Sequence, residues 1–212
     1  MTNFGYEKRK VEVMAPPVPP TGQQPVAGKW WAPFFGNTPT GPSDMQASNN
    51  RALFWPWNLN GDIDMTSIGF TCQSGAHASS AILVGVYSND DGFPGEQLGQ
   101  ATVALSSVAT CSASLSLSLT AGNYFMGYTM NAQAETSTTR ISGAPSNQPP
   151  FWGVPFLYRE GEAPDPAGSA TNYRIWRYVD PGAGFALPAV VDPAKMTSIL
   201  GSNPPIPAFL IK

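Results

Sequence analysis

The sequence predicts an all-β protein, a jelly-roll-like antiparallel β-sandwich preceded by an extended Pro-rich N-terminal arm. Three observations carry this. Apolar runs with a period of two recur at roughly ten-residue spacing between Gly-, Asn- and Asp-rich turns. The 22 prolines divide the chain: eight fall in residues 1–42, two in 43–144 and twelve in 145–212. Proline lacks the N–H that a ladder needs, so regular sheet is expected to concentrate in the proline-poor middle. Finally, no segment carries an apolar stripe at helical spacing over a useful length; "DPAKMTSIL" is expected to make one turn at most.

Residues 1–48 read as the arm and 49–212 as the sandwich domain. "APPVPPTGQQP" favours polyproline II, which is stiff and has no internal hydrogen bonds. "KWWAPFFG" then sets Trp30, Trp31, Phe34 and Phe35 close together. A Pro-rich arm cannot bury four large aromatics against itself. They either fold back on their own domain or dock on a neighbouring protein, and docking is the expectation. Charge follows the same division, with four Lys/Arg against two acids in residues 1–42, and seven acids against Arg51 and Arg140 in 43–144.

The strands follow in order. "RALFWPWNL" is an aromatic strand with Pro56 at an edge or bulge, and "MTSIGFTC" alternates. "SAILVGVYS" reads as a buried strand; "GQATVALS", "ASLSLSLT" and "NYFMGYTM" come next. The strict alternation of "SLSLSL" puts Leu115, Leu117 and Leu119 inward and Ser114, Ser116 and Ser118 outward. After residue 145 the chain turns irregular. "SNQPPFWGVPF" and "EGEAPDPAGSA" are loop-like, "TNYRIWRYVD" alternates as a further strand, and Ala208–Ile211 is expected to close the sheet.

Composition limits the function. Charged residues are 12% of the chain, about half the usual globular share. The surface must therefore be built from Ser, Thr, Asn, Gln and Gly, or be covered by partners. A net charge of −3 argues against nucleic acid. No apolar run approaches the roughly 18 residues of a membrane span, so no membrane insertion is expected. The basic "MTNFGYEKRK" is not followed by an apolar core, so it is not read as a secretory signal, and synthesis in the cytoplasm is expected. Cys72 continues the row Ile68–Phe70, and Cys111 the row Ala113–Leu115, so both point to the apolar side. Buried free thiols are expected, with a disulfide as the alternative.

"SNDDG", between "ILVGVY" and "PGEQL", poses a choice between a hairpin turn, a Ca²⁺ site and a catalytic site. Asn, Asp and Gly tolerate positive φ, which a tight hairpin demands. Ca²⁺ would need six or more oxygens, and the adjacent Asp90 and Asp91 point apart in an extended chain. The stretch is read as a turn.

"VGVYSNDDGFPGEQL", followed by "SLSLTAGNYFMGY", resembles a recurrent β-sandwich pattern of tailed-bacteriophage virion proteins: head-fibre, decoration and tail-fibre modules. "RALFWPWNL…DMTSIGFTC" and "PPIPAFLIK" are similar to the first and last strands of such modules, so the resemblance covers residues 50–212. It implies a non-enzymatic structural component of the virion that docks on other virion proteins, of capsid or tail, through its arm. A homotrimer is expected. Tyr87 and Tyr124 fall on positions that the resemblance marks as scaffold. The alternative is an adhesion module at a fibre tip that binds a host receptor or host-surface glycan, for which Tyr173, Arg174, Trp176, Arg177 and Tyr178 are the candidate contacts.

An enzyme reading has little to stand on. His77, the one His, sits in the small-residue stretch "CQSGAHASSA". Asp62 and Asp64 in "GDID" fall on one face of an extended segment, a spacing compatible with paired carboxylates for glycan hydrolysis, without further sequence context. No phosphate loop and no metal-ligand spacing is present. No catalytic, cofactor-binding or metal residue is assigned.

Overall fold

A computed structural model describes residues 28–30, 42–44, 51–59, 61–136, 139–144, 176–179, 184–198, 206–207 and 209–212. The elements are β1 (Pro42–Asp44), β2 (Arg51–Leu59), β3 (Ile63–Ser74), β4 (Ala81–Asp90), β5 (Phe93–Ala104), β6 (Thr110–Leu119) and β7 (Gly122–Met130). A short helix α1 (Ala132–Thr136) follows, then β8 (Arg140–Ala144), β9 (Trp176–Val179), a 3-10 turn (Pro193–Lys195), β10 (Met196–Ser198), β11 (Ile206–Pro207) and β12 (Phe209–Ile211).

One sheet runs β10-β9-β2-β7-β4-β5; the other runs β1-β8-β3, with β6 and β12 both pairing β3 and β11 pairing β8. The pairings between these strands are antiparallel. Set side by side, β2-β7-β4-β5 and β1-β8-β3-β6 wind as a jelly roll. Among β1 to β8 only the β4–β5 hairpin stays within one sheet; every other connection crosses between the sheets. The expected all-β sandwich is therefore present. Sheet pairing begins inside the segment read as the arm, since Pro42–Asp44 pair with Arg140–Ser142.

The core lies between the two sheets. Leu53, Trp55, Trp57 and Leu59 of β2 face Ile63, Met65, Ile68 and Phe70 of β3 within one buried cluster, together with Ile82, Val84 and Val86 of β4. Trp55 meets Tyr128 edge-on, with centroids 5.3 Å apart, and Trp57 is tilted against Tyr124 at 6.0 Å. Pro56 sits opposite Phe125, just past Arg51–Phe54, the only stretch of β2 that pairs with β9. It is thus past the described β9-paired stretch but within the ladder with β7, so it meets the edge expectation on the β9 side alone.

The β6 alternation holds. Leu115 and Leu119 are buried, and Ser112, Ser114, Ser116 and Ser118 are exposed. Leu117 departs from expectation: on the end strand of its sheet it is half-buried, packed against the core with its tip over Gly99 of β5. Cys72 and Cys111 are buried free thiols on β3 and β6. The C-terminal strand closes the sheet as expected, with Phe209 opposite Phe70 and Ile211 opposite Ile68.

The sheet containing β4 and β7 is also covered on its outer side. Ala52, Phe54, Tyr87 and Phe125 form a second buried cluster with Val191 and Met196, with Leu187 packed against it. Burial on both faces explains why "AILVGVY" and "YFMGYTM" read as near-continuous apolar runs. The cover is the irregular Gly184–Ser198 stretch, which sequence periodicity does not reveal. Its one turn, Pro193–Lys195, is capped by the Asp192 carboxylate, which accepts from the Ala194 amide at 2.9 Å.

Candidate functional site

The acidic stretch is a tight hairpin. Asp90 pairs with Phe93, leaving a two-residue loop of Asp91 and Gly92 with φ of 47° and 89°. Two successive positive φ values are what a primed hairpin turn needs, and Asp–Gly meets that need. The Asn89 side-chain oxygen accepts from the Gly92 amide at 2.9 Å. On the returning strand the Glu96 amide donates to Ser88 Oγ at 2.9 Å. A Cβ on Gly95 would lie 2.7 Å from the same oxygen, so a larger residue would displace the Ser88 hydroxyl from its bond with the Glu96 amide.

The covering segment docks beside this hairpin. The Gln97 amide donates to the Ala189 carbonyl at 2.8 Å, and the Val191 amide to the Gly95 carbonyl at 3.1 Å. The Tyr87 hydroxyl donates to the Pro188 carbonyl at 2.9 Å and accepts from Gln97 Nε2 at 2.8 Å. Between hairpin and segment lies an open concavity of about 780 Å³. Asp90, Asp91 and Glu96 line it along with Phe93, Pro94, Val190 and Pro193. It offers hydrogen-bond acceptors beside apolar patches, and among the described residues its lining includes no His, Cys, Lys or Arg.

The residues weighed for catalysis are held in local structural bonds. His77 Nδ1 accepts from the Ser79 amide at 3.1 Å, within a turn that the Ser80 amide closes onto the His77 carbonyl. Asp62 accepts from the Ala121 amide at 2.8 Å and so ties the β6–β7 turn to the start of β3. Asp64 accepts from the hydroxyl of Ser118, its partner across the β3–β6 ladder. Among the described residues no three His, Cys, Asp or Glu side chains come together as a metal site, and no helix is long and apolar enough to cross a membrane.

Of the docking aromatics, Trp30 is described: it follows a turn at Gly28 and is 40% exposed. Trp31, Phe34 and Phe35 lie outside the described residues, as do Tyr173 and Arg174. Trp176, Arg177 and Tyr178 belong to β9, between β2 and β10, with Tyr178 opposite Ala52 and Trp176 opposite Phe54. Tyr87 and Tyr124 act as scaffold, Tyr124 donating its hydroxyl to the Thr120 carbonyl at 2.8 Å. The sequence reading missed the concavity, since one wall of it, Val190, Val191 and Pro193, comes from the cover about a hundred positions downstream. No protein-family model matches the chain, and no curated protein is similar to it.

Proposed function

We propose that the chain is a non-enzymatic structural component of a tailed-phage particle. It docks on capsid or tail through its N-terminal arm and projects the jelly-roll domain. The fold alone names no activity. What carries the reading is the division of apolar residues between domain and arm. Among the described residues, the inner core and the cover on the outer face of β2-β7-β4 are built from residues downstream of Pro42. In the arm, Trp30 is 40% exposed beside Trp31, Phe34 and Phe35. Four large aromatics in a Pro-rich segment, the described one exposed, suit burial on a partner, where each ring would contribute on the order of 1.5–3 kcal/mol before ordering costs.

The test removes the arm and leaves the sheet intact. A chain lacking residues 1–41 keeps β1 and should fold with an unchanged melting temperature, yet fail to enter particles. Trp30→Ala with Trp31→Ala should lower particle occupancy without unfolding the domain. Purified particles that lack the full-length chain by mass spectrometry would refute a virion role. Wild-type occupancy by the truncated chain would move the anchor to the sandwich.

A further inference from the structure

The two end strands of the sandwich, β5 and β6, are protected very differently. β5 carries Pro94 and Glu96, its ladder with β4 is bulged twice near Tyr87, and the Ala189–Val191 backbone bonds to its outer edge. These are the devices by which native sheets avoid pairing with other chains. β6 has fewer of them: its one irregularity is the register shift in its ladder with β3, between Met65–Leu117 and Ser67–Ser114. Its sequence TCSASLSLSL holds no proline and no charge. Among the described residues its only ladder is with β3; one extra β6 residue is taken up between Leu117 and Ser114, and burial still alternates along the strand. Among the described residues one edge of this ten-residue strand is thus an open row of peptide groups.

We propose that this edge pairs with the β6 edge of a second copy, antiparallel about a two-fold axis at Leu115. The strand is self-complementary in that register. Residues opposite each other share a face, so Ser114 meets the second copy's Ser116 and Ala113 meets its Leu117. Ala113 and Leu117 are the two inner-row positions of β6 that the single chain leaves half-buried; Cys111, Leu115 and Leu119 are buried. Pairing covers both and continues the β1-β8-β3-β6 sheet across the axis. An isologous pair closes with two copies and leaves no free β6 edge. The contact is independent of the arm, and it joins two chains whether each is single or already part of a trimer. An edge ladder alone falls below a standard interface of ~1,600 Å², so the contact belongs with weak, concentration-dependent association.

Sedimentation of the full chain over a range of concentrations tests this, with two variants charged at the same exposed positions. In the proposed register Ser114→Lys with Ser116→Lys sets two lysine pairs face to face. Ser114→Glu with Ser116→Lys sets each Glu opposite a Lys. The parent should double its mass with rising concentration. The lysine pair should weaken doubling by about tenfold or more, since like charges directly opposite destabilise a ladder. The Glu–Lys variant should retain it. Circular dichroism of both variants should match the parent, because both serines are exposed. A parent that never doubles overturns the proposal. So does doubling that both variants share or both lose.

Discussion

Substituting Gly127 by Ala should destabilise the sandwich through a collision whose partners are known. Gly127 of β7 lies opposite Phe54 of β2 on one side and Gly85 of β4 on the other. The Phe54 ring lies over it: a Cβ there would come within 2.8 Å of Phe54 Cδ1 and 3.0 Å of Tyr87 Cε2. Neither ring can yield easily. Phe54 is fully buried and meets Tyr87 edge-on at 5.0 Å, and Tyr87 is tethered through its hydroxyl to the Pro188 carbonyl. Overpacking costs ~1–3 kcal/mol, and two fixed rings place this case toward the top of that range. For a chain of this size that is a fall in melting temperature of about 4–10 °C. Trimming the ring should relieve it. Phe54→Leu alone should cost on the order of 1–2 kcal/mol, and the double variant should fall short of the sum by about 1 kcal/mol or more. Urea unfolding followed by Trp fluorescence measures all four corners of the cycle. Additivity within ~0.5 kcal/mol would show that the two sites do not compete for one volume, and the account of the outer face would fail.

Other substitutions test the remaining layers. Leu115→Ala should cost ~2–5 kcal/mol and Ser116→Ala less than ~0.5 kcal/mol in the same unfolding assay; comparable losses would mean that the β6 faces are inverted. The Tyr128 hydroxyl is buried with no hydrogen-bond partner among the described residues, so Tyr128→Phe should hold or raise the melting temperature; a clear drop would reveal a bond to that oxygen. Asp91 sits at φ 47°, so Asp91→Asn should be neutral and Asp91→Val should lower stability by about 1 kcal/mol or more; equal stability of the two would rule out the primed turn. Burial, and secondarily the neighbouring Cys111, pushes the Cys72 thiol up, with a hydrogen bond to the Ser74 backbone opposing. The folded chain therefore keeps a proton that the unfolded chain releases. Stability should be level below the ordinary thiol value and decline as pH rises past about 9, and Cys72→Ala should flatten that decline. A slope unchanged in the variant would place the titration elsewhere.

What the sequence made legible is what a few adjacent residues decide. The Ser–Leu alternation of β6 fixes two faces by itself, and Asp91-Gly92 fixes a turn by itself, so both were readable. Asn131 caps α1 by accepting from the Ala134 amide at 2.9 Å, but five residues make no apolar stripe, and the helix passed unnoticed. The outer face shows a deeper limit. "AILVGVY" states that both sides of a strand need cover. It cannot say that the cover is Gly184–Ser198, a stretch attached by main-chain bonds at Gly95 and Gln97, because such bonds leave no mark on side-chain pattern. Gly85 and Gly127 show the same thing within the sheet. Each looks like a weakness in its own strand, yet β4 and β7 pair them directly, and Phe54 and Tyr87 fill the space their missing side chains leave. The candidate concavity inherits this non-locality: its acids come from a hairpin that announces itself, and its apolar side from the cover that does not. A single strand's pattern can therefore specify which faces are apolar, while the choice of what meets each face is made by register between segments far apart in the chain.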